Sequence, residues 1–467
     1  MAPGFNDRAP HQKSPARIRR VWDRLRHALG VDQAILYTIS ARAWSSSAGL
    51  ITVVLIARFL SPSQQGYYYT FSSLVAMQIL FELGFAFVIL QLASHERAHL
   101  HISSDYVITG DPISHARLAS ILQKTVRWYS IAAVGMLVTL APLGYLFFAF
   151  YQHSTVTVEW RLPWYFAAIA ATLNFQLDPI LSFLEGCGYV ANVARLRLTQ
   201  AVVGSIFAWS ALATHRGLFA PSMFMLGFAL TSFIWLLGKR RFLLGLLRFD
   251  PDPHRIIWGK EVWPFQWKIA VSWICGYFMF QLFNPILFAF RGPVEAGQMG
   301  MSLSLVGALQ AVAISWIVTK SCPFGVMIAR KEYEMLDRTF FKAVKQATTV
   351  SLVGAAAIWI GAEYMNLVHF RFAQRLLPPI PLGILLTVAA VNIVVISEAN
   401  YLRAHKQEKF HTISVISAIL IALSAYFFGR AYGALGMTIG YLAVQSSVGL
   451  GFGTYTFVKY RRLWHAQ

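Results

Sequence analysis

Apolar residues in this chain gather into long unbroken runs. They show neither the one-sided stripe of a soluble amphipathic helix nor the alternation of a half-buried strand. The runs fall near residues 36–58, 67–92, 128–150, 163–184, 198–214, 218–238, 265–289, 299–319, 347–368, 380–397, 412–428 and 434–457. About twenty residues in an α-helix rise roughly 30 Å, the thickness of a bilayer's hydrocarbon core. The pattern therefore predicts an all-α polytopic membrane protein of about 12 transmembrane helices. A transmembrane barrel would instead read as short segments of alternating polarity, and no such series occurs. The longer connections, 93–127, 239–264 and 320–346, share one side, and none is large enough for a separate soluble domain.

Composition supports the membrane class. Hydrophobic residues make up 57% of the 467 and charged residues only 13%, too little charge to cover a soluble protein of this size. A formal net charge of +20 would suggest nucleic acid in a soluble chain, but its placement gives another reason. Of the 40 Lys and Arg residues, 31 fall in the termini and the longer-loop side; seven fall on the other side, and Arg42 and Lys268 lie within spans. The positive-inside rule then predicts cytoplasmic N- and C-termini, a multi-pass protein of the cell inner (cytoplasmic) membrane, and no nucleic-acid partner. Cys187, Cys275 and Cys322 form neither a disulfide framework nor a CxxC site. No cleavable signal peptide is expected, because the first apolar run is long and follows some 35 polar residues. In residues 17–29, Ile18, Val21, Trp22, Leu25 and Leu29 share a helical face opposite arginines. That pattern fits a helix lying on an anionic leaflet, and equally an ordinary basic tail. Trp160, Trp164 and Tyr67–Tyr69 sit where an outer aromatic belt is expected.

An internal repeat organises the chain. LSPSQQGYYYTFSSLV at 60–75 aligns with RGPVEAGQMGMSLSLV at 291–306, pairing Pro62 with Pro293, Gly66 with Gly297 and Ser73 with Ser304. FLEGCGY at 183–189 matches the place of ISEANYL at 396–402, so Glu185 and Glu398 each end the fourth helix of a half. The expected layout is a basic tail (1–35), a six-helix lobe (36–238), a cytoplasmic linker (239–264), a second six-helix lobe (265–457) and a short tail (458–467). Two pseudo-symmetric lobes around a central cavity favour a transporter that rocks between two states.

The stretch 54–85 resembles the first two helices of polysaccharide transporters of the O-antigen flippase (Wzx) type, in the multidrug/oligosaccharidyl-lipid/polysaccharide exporter superfamily. The resemblance rests on Arg58, on the turn Pro62, Gly66, Tyr68, and on the acidic-x-Gly step Glu82, Gly84. The end of helix four at Glu185-Gly186 and the Tyr432-Gly433 turn agree with it. It implies alternating access on polyprenyl-pyrophosphate-linked oligosaccharide, with no cofactor. Membrane lipids, a polysaccharide polymerase and a chain-length regulator are the implied partners. The second turn departs from the pattern, with Arg291-Gly292 before Pro293.

Such a cargo needs cations for phosphate and polar groups for sugar. Arg42, inside the first span, and Lys268, at the start of the seventh, are the candidate substrate contacts, with snorkelling to the surface as the competing explanation. Glu82 lies deep in the second span, where it either pairs with Arg42 or couples transport to an ion gradient. Asp178, before Pro179, and Pro285, after Asn284, are candidates for ion coupling or gating at weakened helix positions. Ala41, Ser45 and Gly49 form a small-residue stripe suited to helix packing. His95-Glu96-Arg97-Ala98-His99 matches the H-E-x-x-H zinc motif, with His101 or Asp105 as a further ligand. It stands at a span's exit into a polar loop, so a solvated charge cluster is the expected reading and no metal is assigned. Outer loops carry few acidic residues, which argues against a membrane glycosyltransferase or polymerase, and the chain is not expected to be an enzyme. The alternative within the superfamily is a cation-coupled multidrug exporter, and a further, lower-ranked one is an intramembrane zinc protease using His95, Glu96 and His99.

Overall fold

A computed structural model describes residues 33–103, 107–152, 158–405, 407 and 409–465, without the side chains of Pro264, Phe265, Lys268, Ser272 and Cys322. The amphipathic stretch 17–29, Asp105 and the side chain of Lys268 thus lie outside the described set. The first lobe comprises α1 (Gln33–Phe59), α2 (Pro62–Glu82), α3 (Phe85–Arg97), α4 (Pro112–Phe150), α5 (Arg161–Gly186), α6 (Val190–Ala213) and α7 (Ala220–Leu237). A short helix, α8 (Arg240–Arg248), lies in the linker. The second lobe holds α9 (Trp263–Phe280), α10 (Phe283–Arg291), α11 (Pro293–Val318), α12 (Ser321–Ala329), α13 (Tyr333–Leu367), α14 (Pro379–Ala404), α15 (His411–Val444) and α16 (Gly453–His465), the last two joined by a π-helix, Gln445–Phe452.

Among the described residues ten helices are long and apolar enough to cross a membrane, and eleven if α2 and α3, bent by 43°, form one span. The last of these runs 55 residues, about 82 Å if straight, and Gly433 breaks it with φ 63° and ψ −145°. Its two arms are separate crossings, which accounts for the dozen runs in the sequence. One small departure from all-α is an antiparallel hairpin, β1 (Leu100–Ile102) and β2 (Ile108–Gly110), after α3.

Local chemistry explains the main breaks. Ser61 caps α2, accepting from Gln64 N–H while Gln64 returns a bond to the Ser61 N–H, and Pro62 fills the first turn. The α2–α3 bend places Leu83 (φ 51°) and Gly84 (φ 69°) in the left-handed region, which costs a non-glycine residue about 1–2 kcal/mol. Gln266 of the second lobe donates to the freed Leu83 carbonyl at 2.5 Å. A side chain at residue 84 would meet Ile269 and Trp273.

The repeated turns meet each other. A Cβ on Gly66 would run into the Pro293 backbone, and one on Gly297 into the Gly66 amide. Gln65, 1% exposed, donates to the carbonyls of Gly297 (2.8 Å) and Arg375 (2.9 Å). Arg375 donates to Leu60 at 2.6 Å. Beneath this seam Tyr67 packs edge-on to Phe288 of the other lobe at 4.8 Å, and Phe71, Phe148 and Trp164 surround them. The aromatic-belt reading is therefore corrected for Trp160, Trp164, Tyr67 and Tyr69, all under 8% exposed. Their rings bridge helices and lobes instead of meeting lipid headgroups.

Candidate functional site

A cavity of about 1310 Å³ lies between the lobes. It is walled by α1, the end of α2, α4–α7 and the last turns of α11. It occupies the half of the bundle nearest the basic connections, while the Gly66–Gly297 seam closes the opposite half.

Three of the sequence candidates come together here. Arg42, on α1, is exposed to the cavity and has no hydrogen-bond or ion-pair partner among the described residues. Glu82, the last residue of α2, and Asp178, on α5, also line it. The Glu82–Arg42 pair, one of the two expectations for Glu82, is not formed among the described residues; Glu82 and Asp178 line the cavity as two acidic side chains. Glu82 owes its place to the break at Leu83–Gly84, and it ends a helix whose C-terminus adds its own partial negative charge. Helix α5 runs unbroken through Pro179, whose missing N–H leaves the Phe175 carbonyl, at the cavity wall, without its helical donor.

Arg197, two turns into α6, is a cavity-lining cation that sequence reasoning missed. It lines the cavity and is paired with Glu185 at 3.3 Å, with its side chain 48% exposed. In the sequence it reads as one more cation at a span end, indistinguishable from those that set orientation. Gln78, Asn174 and Gln200 add amides. Asn174 donates to the Met225 carbonyl at 2.6 Å, and Gln200 to Ser232 at 2.6 Å. The Tyr129 hydroxyl and the Gln78 carbonyl oxygen are buried without partners among the described residues. Phe175, Phe224 and Phe228, with Val312 and Val318 of α11, line it as well, so the cavity is amphipathic.

The other candidates lie elsewhere. Pro285 sits in the first turn of α10, just past the break at Gln281–Leu282 that interrupts the seventh span. Lys268 belongs to α9 by its backbone. The small-residue stripe does not pack as expected: Ser45 lines the cavity and Gly49 faces open space. Helix α1 is held to α6 by larger groups, with Trp209 donating to Thr52 at 2.9 Å and Trp44 to Ser205 at 3.3 Å.

The H-E-x-x-H stretch is arranged for structure. Helix α3 ends at Arg97, so His95 and His99 do not share a continuous helical face. Glu96, 8% exposed, is bound by Arg117 at 2.7 Å, and Arg117 also holds Glu261 of the linker at 2.5 Å. Among the described residues no three His, Cys, Asp or Glu side chains are grouped to hold a metal ion.

No protein-family model matches this sequence, and no curated protein does. Solved structures do match. The chain is similar to a lipid II flippase, MurJ, in an inward closed conformation, with TM-score 0.55 and 12% identity, covering 92% of this chain and 90% of that one. It is similar to the MATE transporter VcmN of Vibrio cholerae, with TM-score 0.54 and 15% identity, over 93% and 97%. An inward-facing multidrug-resistance MATE transporter of the MOP superfamily gives TM-score 0.52 and 14% identity over 92% and 96%. At such identities the likeness establishes the fold: two lobes of transmembrane helices, as in MOP-superfamily transporters.

Proposed function

We propose that this chain is a flippase that moves polyprenyl-pyrophosphate-linked oligosaccharide from the cytoplasmic to the outer leaflet by alternating access. It would serve synthesis of a surface polysaccharide such as O-antigen, capsule or exopolysaccharide. The observation that carries this reading is Arg42, unpaired among the described residues in a cavity of about 1310 Å³. An arginine at that depth is costly unless an anion or water receives it. The volume exceeds the roughly 300–1,000 Å³ typical of sites for drug-sized ligands. Likeness of fold to a lipid II flippase supports the same reading.

In this reading Arg42 and Arg197 hold the pyrophosphate through paired N–H donors, and Lys268 is a further contact. Ser45, Gln78, Asn174 and Gln200 face the sugar hydroxyls, while the polyprenyl chain stays in lipid. Glu82 and Asp178 supply the negative charge that an entering cation neutralises, coupling the rocking to an ion gradient. Pro285 lets α10 swing against α9 at the break beside it. The cavity faces the cytoplasm, the termini are cytoplasmic, and the protein sits in the inner membrane, where a polymerase and a chain-length regulator consume its product.

The test is translocation in proteoliposomes. Labelled polyprenyl-pyrophosphate oligosaccharide is supplied, and a membrane-impermeant glycan-modifying enzyme reports arrival at the far leaflet. Protein-dependent arrival is expected; none with several glycans and an imposed proton or sodium gradient would sink the proposal. A second reading, cation-coupled drug export, is favoured by the two cavity carboxylates, Glu82 and Asp178, which have no ion-pair partner among the described residues. Gradient-dependent extrusion of organic cations, lost in Glu82→Gln, would select it.

A further inference from the structure

We propose that α8, the helix of the inter-lobe linker, is a binding site for the headgroups of anionic phospholipids. Its sequence, RRFLLGLLR, separates into two faces. Phe242 and Leu246, one turn apart, are buried, and Phe242 touches the ring of Tyr189 with centroids 6.2 Å apart. The opposite face presents Arg241, Leu244 and Arg248, spaced by three and four residues and all exposed. Arg241 and Arg248 stand about 10.5 Å apart along the axis, with Leu244 between them. Two arginines flanking an exposed leucine suit the boundary between phosphates and acyl chains.

Uncompensated charge gives the face its ligand. No acidic residue occurs in α8, and neither Arg241 nor Arg248 has an ion-pair or hydrogen-bond partner among the described residues. The carboxylates that follow, Asp250 and Asp252, are both taken by Arg255, at 3.4 and 2.8 Å. Orientation by positive charge accounts for arginines in this loop. It does not account for an exposed leucine set between them on a helix whose other face is packed down.

The site is wired to the junction of the lobes. Gln123 of α4 donates to the carbonyls of Leu246 (3.0 Å), Leu247 (3.3 Å) and Phe249 (2.7 Å), pinning the end of α8. Ser120 and Lys124 hold Ile256, and Arg117 holds Glu261, just before α9 begins. Headgroup binding at α8 therefore fixes the strap through which one lobe is tied to the other, and leaflet charge sets how firmly.

The experiment compares thermal unfolding of the full-length protein in nanodiscs of phosphatidylcholine with increasing phosphatidylglycerol, and in phosphatidylcholine with inorganic phosphate. Native mass spectrometry counts retained lipid. The wild-type midpoint is expected to rise with phosphatidylglycerol alone. The exposed double variant Arg241→Gln/Arg248→Gln is expected to fold normally, show at most half that rise and retain less phosphatidylglycerol. An equal rise in the double variant, an equal response in pure phosphatidylcholine, or full replacement by inorganic phosphate overturns the proposal. No transported substrate enters the measurement, so its outcome is separable from the flippase reading.

Discussion

Arg42 and Arg197 share a cavity but differ in what their removal leaves behind. Arg42 has no partner among the described residues, so Arg42→Ala strands no buried group there, and stability should stay within about 0.5 kcal/mol of wild type. Transport of lipid-linked oligosaccharide should be abolished; unchanged flux with normal membrane levels would remove the central element of the mechanism. Arg197→Ala also frees Glu185, so it should lower both flux and stability. Glu96 is a structural anchor: Glu96→Gln weakens a charged hydrogen bond to Arg117 and should cost about 2 kcal/mol, read by thermal unfolding. Glu261 adds a pH dependence. Burial would raise its carboxyl, but the Ile257 N–H and the Arg117 guanidinium outweigh this and hold it below the usual carboxylate range. A lowered value means the contribution is complete above the ordinary carboxylate range and is lost as pH falls through the folded-state value. Acid should loosen the linker, and Glu261→Gln should remove that part of the acid sensitivity, seen as proteolytic nicking between 239 and 264.

Breaks within helices carry more of the design than the helices themselves. The α2–α3 bend sets Glu82 at the cavity wall, and Gly84 permits it through a positive φ and close contact with Ile269 and Trp273. Gly84→Ala should destabilise the protein by about 1–2 kcal/mol and reduce transport with Arg42 intact; thermal unfolding and flux together check this. At Gly433 the backbone occupies a region essentially restricted to glycine. The Ala434 N–H that opens the next arm is satisfied by Glu295 at 2.5 Å, so the first turn of α11 also staples the α15 break. The seventh span is divided likewise, into α9 and α10, and Pro285 sits where a first helical turn tolerates a missing N–H.

Across the whole molecule, the repeat gives the closed face, the one away from the basic connections, its geometry. Gly66 and Gly297 correspond in sequence and meet in space, so backbone touches backbone at the seam between lobes. Gly66→Val should disfavour this closed arrangement by about 1–3 kcal/mol, the usual cost of overpacking. A cysteine at Ser45 should then label faster with an impermeant reagent added from the outer side. An unchanged rate in well-folded protein would show that the seam does not gate access.

The residue sequence by itself determined the membrane class, the dozen apolar runs and the two-lobe repeat, and it singled out Arg42, Glu82 and Asp178 as ionisable groups inside spans. Each follows from the high cost of polar groups in hydrocarbon, which leaves a mark at single positions. Tertiary structure alone decided which of these groups meet. Glu82 lines the cavity with Asp178 and forms no ion pair with Arg42 among the described residues, and it ends its helix at the Leu83 break, a choice between backbone states that no apolar pattern records. Arg197 was hidden among orienting cations, since a charge at a helix end looks the same whether it faces a cavity or a headgroup. Tyr67 and Trp164 read as belt residues because position along a span fixes depth but not direction. Only tertiary packing turns them inward, with Phe288 of the second lobe against Tyr67 and with Phe71 and Phe148 against Trp164.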